Sequence, residues 1–126
     1  MEVVDANVIL RYLLGDVEEL YKKAEEIFSQ VIAGRRTIFI PQVVIAEVVY
    51  VLMKLYKVPK EKVVLSIEFF LNLKNCKIQD KKAVKEALKI FSANNISFVD
   101  ALLCAYARAN NYQLTTFDAK LLKVCR

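Results

Sequence analysis

The sequence predicts an α/β fold: a three-layer α/β/α sandwich around a parallel sheet of about four to five strands. Three observations predict it. Short apolar runs of strand length alternate with longer stretches whose apolar residues recur with helical periodicity. Helical stretches separate each run from the next, which suits parallel crossovers and not hairpins. Two of the runs lead directly into an aspartate at a helix start, Asp5 and Asp118. In open α/β sheets the carboxyl edge of the strands is where ligands and chemistry are placed. At 126 residues the chain is expected to form one domain, residues 1–126.

Met1 to Val4 is a short apolar run that reads as a buried first strand, and Asn7 to about Leu14 as a helix stopped by Gly15. Asp16 is placed to cap a helix from Glu18 to about Ile32, with Leu20, Ala24, Ile27, Phe28 and Val31 on its apolar face. Gly34 ends it, and Thr37 to Ile40 reads as the second strand. PQVVIAEVVYVLMKLY has valines that suit a strand, but its length argues for a helix opened by Pro41. Val58-Pro59 breaks it. Lys60 to about Leu73 is the next helix, and Cys76 to Ile78 a weak third strand.

Asp80 is placed to cap a helix carrying Ala83, Val84, Ala87, Leu88 and Phe91. After an Asn94-Asn95 loop, Ser97 opens a helix that runs to Ala109, and Asn110-Asn111 fits a left-handed stop. Gln113 to Thr115 reads as a fourth strand, and Asp118 to about Val124 as a last short helix.

Composition narrows the chemistry. The chain has no histidine, which removes Ser-His-Asp and Cys-His mechanisms, histidine acid–base nucleases and the common histidine-bearing zinc sites. Catalysis is left to carboxylates, a metal, hydroxyls, lysine or cysteine. Cys76, Cys104 and Cys125 form no C-x-x-C pair, and the favoured reading is reduced, mostly buried thiols. Nineteen Lys and Arg against 14 Asp and Glu give +5, a balance that draws polyanions without naming one. No apolar run reaches the roughly 18 residues of a membrane span, and no basic stretch precedes an apolar one at the start. The expected setting is the cytoplasm, with no membrane contact.

Four carboxylates stand out, each with a plain structural alternative. Asp5 and Asp118 follow strands and would also serve as helix caps. Glu47 lies among apolar residues in VVIAEVVYVL, where a buried carboxylate calls for a partner or a cation; the alternative is a narrow solvent stripe. Asp100 completes the capping pattern Ser97-x-x-Asp100, yet the small face after it would let its helix lie close to a sheet. Four converging carboxylates need a counter-charge, and oxygen-only donors select Mg²⁺ or Mn²⁺. Asn7 and Thr116 are supporting polar candidates. Arg11, one turn after Asn7, is set against two roles, a phosphate contact or a salt-bridged arginine. Arg35-Arg36 reads as a solvated loop, and Tyr12 and Tyr50 as core or dimer packing.

VVDANVILRYLLGD, IPQVVIAEVVYVL, FVDALLCAYARANN and LTTFDAKLLK, in that order from Val3 to about Leu122, resemble the PIN-domain family, and within it the VapC-type toxins of prokaryotic toxin–antitoxin pairs. The resemblance implies a parallel-sheet sandwich and a metal-dependent ribonuclease that hydrolyses RNA phosphodiester bonds with one or two Mg²⁺ or Mn²⁺ ions. Asp5, Glu47, Asp100 and Asp118 fall on the family's acidic positions, and Asn7 and Thr116 on its supporting ones. A homodimer or higher assembly is implied, as is a small antitoxin that covers the active site. Two departures stand: family members often continue past the last helix into a further strand, and glycine is common where Asn111 stands. Two other readings remain open: a PIN-fold RNA-processing nuclease without an antitoxin, and an inactive scaffold that binds RNA or a partner. A phosphoaspartyl enzyme starting at Asp5 lacks its D-x-D-x-T signature, because Asn7 and Ile9 occupy the later positions.

Overall fold

The computed structural model describes residues 1–126. Seven helices and three strands follow one another as β1 (Glu2–Val3), α1 (Ala6–Leu14), α2 (Glu18–Ile32), β2 (Ile38–Ile40), α3 (Gln42–Lys54), α4 (Lys60–Leu71), β3 (Cys76–Ile78), α5 (Lys81–Ala93), α6 (Phe98–Asn110) and α7 (Ala119–Val124). The α/β class and the parallel sheet are as the sequence predicts. Contacts divide the chain into two compact units, Met1–Gln79 and Asp80–Arg126. No helix is long and apolar enough to cross a membrane.

The first unit holds the sheet, in the order β1-β2-β3 and parallel throughout. Ile38 pairs with Cys76 and Ile40 with Ile78, and all four side chains are buried. β1 is an edge strand: Glu2 and Val3 are exposed and only Val4, just past it, is buried. The expected buried first strand is thus corrected to an exposed edge, where the charge of Glu2 discourages pairing with another chain. Arg36 grips Glu2 through two bonds of 2.6 and 2.7 Å, while Arg35 stays exposed. α1 packs on α2 and α3, α3 on α4, and α4 on β3. Their shared core is aromatic. Tyr12 and Phe28 lie 4.4 Å apart between ring centroids, Phe28 and Phe70 5.3 Å, with both phenylalanines fully buried.

Helix α3 has Pro41 in its N-cap position, which has no side chain to offer the first amides. Gln79, one residue past β3, fills that role: its Oε1 accepts from the Gln42 amide at 2.9 Å while its own amide donates to Ile40. Gly15 closes α1 at φ 60°, a left-handed conformation that glycine adopts without strain. Asp16 does not cap α2. Val17 stands at that position without a side-chain bond, because the Asp16 carboxylate is held by Arg11.

The second unit is a helical hairpin followed by a short helix. α5 and α6 run antiparallel, with Phe91 against Phe98 at the turn, edge to face at 5.8 Å. Ser97 caps α6 as expected, and Asn111 closes it at φ 56°. Asp80 stands before α5 but caps nothing. It adopts the left-handed region (φ 52°), and its carboxylate instead accepts the Tyr106 hydroxyl at 2.7 Å.

Two further expectations are overturned. Gln113–Thr115 forms no strand. Gln113 and Thr115 are exposed and only Leu114 is half-buried, so the segment offers one apolar side chain to drive pairing. Cys104 and Cys125 are joined as a disulfide, with Cα atoms 5.5 Å apart; only Cys76 is the buried, reduced thiol that the sequence suggests. The packing of α7 decides this, since 21 residues separate the two in sequence.

Candidate active site

Each unit carries two of the four carboxylates. In the first, Asp5 leaves β1 in extended conformation and caps α1, its Oδ1 accepting from the Val8 amide at 3.1 Å. The cap uses one carboxylate oxygen and leaves Oδ2 with no protein donor. Asn7, on the first turn of α1, is exposed.

Glu47 is exposed, which corrects the expectation of a buried carboxylate. In a helix, sequence neighbours point about 100° apart, so apolar neighbours do not bury a residue. Ile45, Val48, Val49 and Leu52 face the core, while Val43, Glu47, Tyr50 and Lys54 form the opposite, exposed stripe of α3. No hydrogen bond or ion pair engages the Glu47 carboxylate within the protein.

Arg11 is committed elsewhere. Its Nη1 donates to both Asp16 oxygens at 2.9 Å, and its Nη2 donates to the Tyr56 hydroxyl at 3.3 Å. That hydroxyl in turn donates to Asp16 Oδ2 at 3.2 Å. These partners, the Tyr56 hydroxyl first, raise the guanidinium pKa further still. The salt-bridged role is the one the structure gives. Tyr12 packs in the aromatic core, and Tyr50 lies exposed.

In the second unit Asp100 sits half-buried in the first turn of α6. Its amide donates to Ser97 Oγ at 3.1 Å, but its carboxylate does not reach back to close the reciprocal half of the capping box. That carboxylate is therefore unengaged, which a purely capping role does not explain. Asp118 does cap, its Oδ1 accepting from the Lys120 and Leu121 amides at 3.0 and 3.1 Å. Thr116 Oγ1 accepts the Asp118 amide at 3.1 Å and so fixes the turn that presents this carboxylate.

Carboxylate oxygens are the donors that a hard divalent cation selects, and of these four groups two are unengaged and two keep one oxygen free. Within neither unit do three or more acidic or cysteine side chains gather around one point.

The Arg11–Asp16–Tyr56 cluster, the Asp80–Tyr106 bond and the disulfide are tertiary features that sequence reading missed. The first had a faint signal, an Asp five residues after an Arg across a glycine turn. The others join residues 26 and 21 apart, beyond local pattern.

The PIN domain family matches residues 3–126. A VapC ribonuclease of Aquifex aeolicus (strain VF5) is 31% identical over 108 residues, covering 86% of this chain and 79% of that protein. With nearly its whole length matched, the chain belongs to the PIN-domain family.

Proposed function

We propose that this protein is a divalent-metal-dependent endoribonuclease, the toxin of a type II toxin–antitoxin pair, with residues 1–126 working as one PIN domain. The observation that carries the reading is that Asp5, Glu47, Asp100 and Asp118 each keep at least one carboxylate oxygen free of protein donors. Family membership and the VapC relative support it.

In this reading the four carboxylates hold one or two Mg²⁺ or Mn²⁺ ions. Such an ion, when bound, supplies the positive charge that activates water and stabilises the phosphoryl and leaving oxygens. The helix amides at Asp5 and Asp118 fix those two carboxylates in place, so little freedom is lost on binding. Thr116 holds the Asp118 turn, and Asn7 offers an exposed amide to orient substrate or water. Arg11 would reach a phosphate only by leaving Asp16, so it is not given a role in the reaction.

The same reading sets the protein in the cytoplasm, as a homodimer or higher assembly, held inactive by a small antitoxin that covers the carboxylates. The apolar exposure beside Glu47, Val43 at 72% and Tyr50 at 61%, supports a covering protein on that face.

The test is cleavage of a mixed, structured RNA pool by antitoxin-free protein, in Mg²⁺, Mn²⁺ or EDTA, beside Asp100→Asn. Cleavage that needs metal and disappears in the variant is expected. Cleavage that survives EDTA, or is equal in the variant, counts against it. Well-folded protein that neither cleaves nor binds Mn²⁺ by calorimetry would favour an inactive scaffold.

A further inference from the structure

Away from the carboxylates, the open end of the α5–α6 hairpin holds a cleft of about 550 Å³. Small side chains, Ala83, Ala105 and Ala109, leave room between the helices. Lys82, Lys85 and Lys89 line it from α5, spaced so that all three share one helix face. At 1.5 Å of rise per residue they form a row of cations roughly 10 Å long.

The charge here is only partly cancelled from within: Lys82, Lys85, Lys89 and Arg108 stand against Asp80 and Glu86, a net of +2. Two carboxylates also line the cleft, and each already has a partner: Asp80 accepts the Tyr106 hydroxyl, and Glu86 lies 3.9 Å from Arg108. None of the three lysines takes part in an ion pair. Asp100 and Asp118 do not line the cleft, and Asp100 is nine residues before Ala109, roughly 13 Å along the α6 axis.

We propose that this cleft is a second RNA-binding site, in which Lys82, Lys85 and Lys89 hold the sugar–phosphate backbone independently of sequence. Lysines in a row suit a phosphate chain, and they position without reading bases. An acidic protein partner fits less well. Protein interfaces are anchored by large apolar or aromatic side chains, and this floor is alanine. The only aromatic lining it, Tyr106, has its hydroxyl tied to Asp80. The proposal rests on the RNA reading above, but it concerns binding and not cleavage.

The experiment is fluorescence anisotropy of a short, labelled, unstructured RNA with the full chain in EDTA, across a salt series. The variants are the triples K82Q/K85Q/K89Q and K82R/K85R/K89R and a matched triple K62Q/K74Q/K77Q in the first unit. We expect the first to lose about tenfold or more in affinity and to lower the salt slope by about two, at roughly 0.7 per phosphate contact. The arginine triple and the first-unit triple should bind like the parent. All six lysines are exposed or on helix surfaces, and circular dichroism checks that each variant is folded.

Equal loss from both glutamine triples would overturn the proposal, since net charge alone would then explain binding. So would absence of RNA binding by the parent, or displacement of RNA by poly-glutamate at lower concentration than by unlabelled RNA. Because binding is read in EDTA, a failed cleavage test leaves this result standing. Loss of the cleft proposal likewise leaves the carboxylate chemistry untouched.

Discussion

The first unit is held by paired strands and a cluster of buried phenylalanines; the second by two helices that approach over alanine and a disulfide that pins the last turn. Their charges differ as much as their cores. Residues 1–79 carry eleven basic and ten acidic side chains, a net of +1, and residues 80–126 carry eight and four, a net of +4. In the first unit many of the charges are paired, as in Arg11–Asp16, Arg36–Glu2, Lys22–Glu18 and Lys23–Glu19. In the second the lysines of α5 stand unpaired. A basic whole-chain balance thus says little until it is divided: the attraction for polyanions belongs mostly to the second unit. The carboxylates divide evenly, since each unit brings one helix-capping aspartate and one unengaged acid.

That even division is open to the largest test. Glu47→Gln and Asp100→Asn, one from each unit, should each lower metal-dependent RNA cleavage by on the order of a hundredfold or more, read in single-turnover assays. If only Asp100→Asn has an effect, the chemistry belongs to the second unit and the symmetry is false. Next comes the contrast between the cores. Phe28→Ala should destabilise the protein by about 3–5 kcal/mol in urea unfolding, because Phe28 is fully buried between Tyr12 and Phe70.

Reducing the Cys104–Cys125 bond should cost up to about 3 kcal/mol, the scale for closing a loop of about twenty residues. Amide exchange should then quicken in residues 98–126 and hold steady in 1–79; quickening everywhere would mean that the two units unfold as one. A smaller gain is expected at Lys57, an exposed non-glycine residue at φ 55°. Lys57→Gly should stabilise by up to about 1 kcal/mol, seen as a higher urea midpoint.

The smallest effect concerns pH. Arg36, chiefly by hydrogen bonding, holds the Glu2 carboxyl below its ordinary range. A depressed acid adds stability above its unfolded pKa and loses it as pH falls through the folded value. Stability should therefore decline on acidification slightly less in Glu2→Gln than in the parent, measured by urea midpoints between neutral and strongly acidic pH.

What the sequence by itself determined was whatever depends on residues within about a turn of one another. The helices followed from periodicity, and the valine-rich α3 from its length. The stops at Gly15 and Asn111 and the cap at Ser97 also formed where the local residues require them. Composition alone removed histidine chemistry, and the acidic positions in four ordered blocks pointed to the family. Tertiary structure decided the rest. Glu47 is exposed because α3 turns its apolar residues to the other side, which a linear run conceals. Asp16 and Asp80 leave their capping roles because Arg11 and Tyr106 offer stronger partners. Gln113–Thr115 stays irregular because a strand exists only where another lies ready to pair. Cys104 meets Cys125, and the α5 lysines face a cleft, because α6 packs where it does. Local signals fix backbone conformation, whereas exposure, pairing and clefts depend on which distant surfaces pack together.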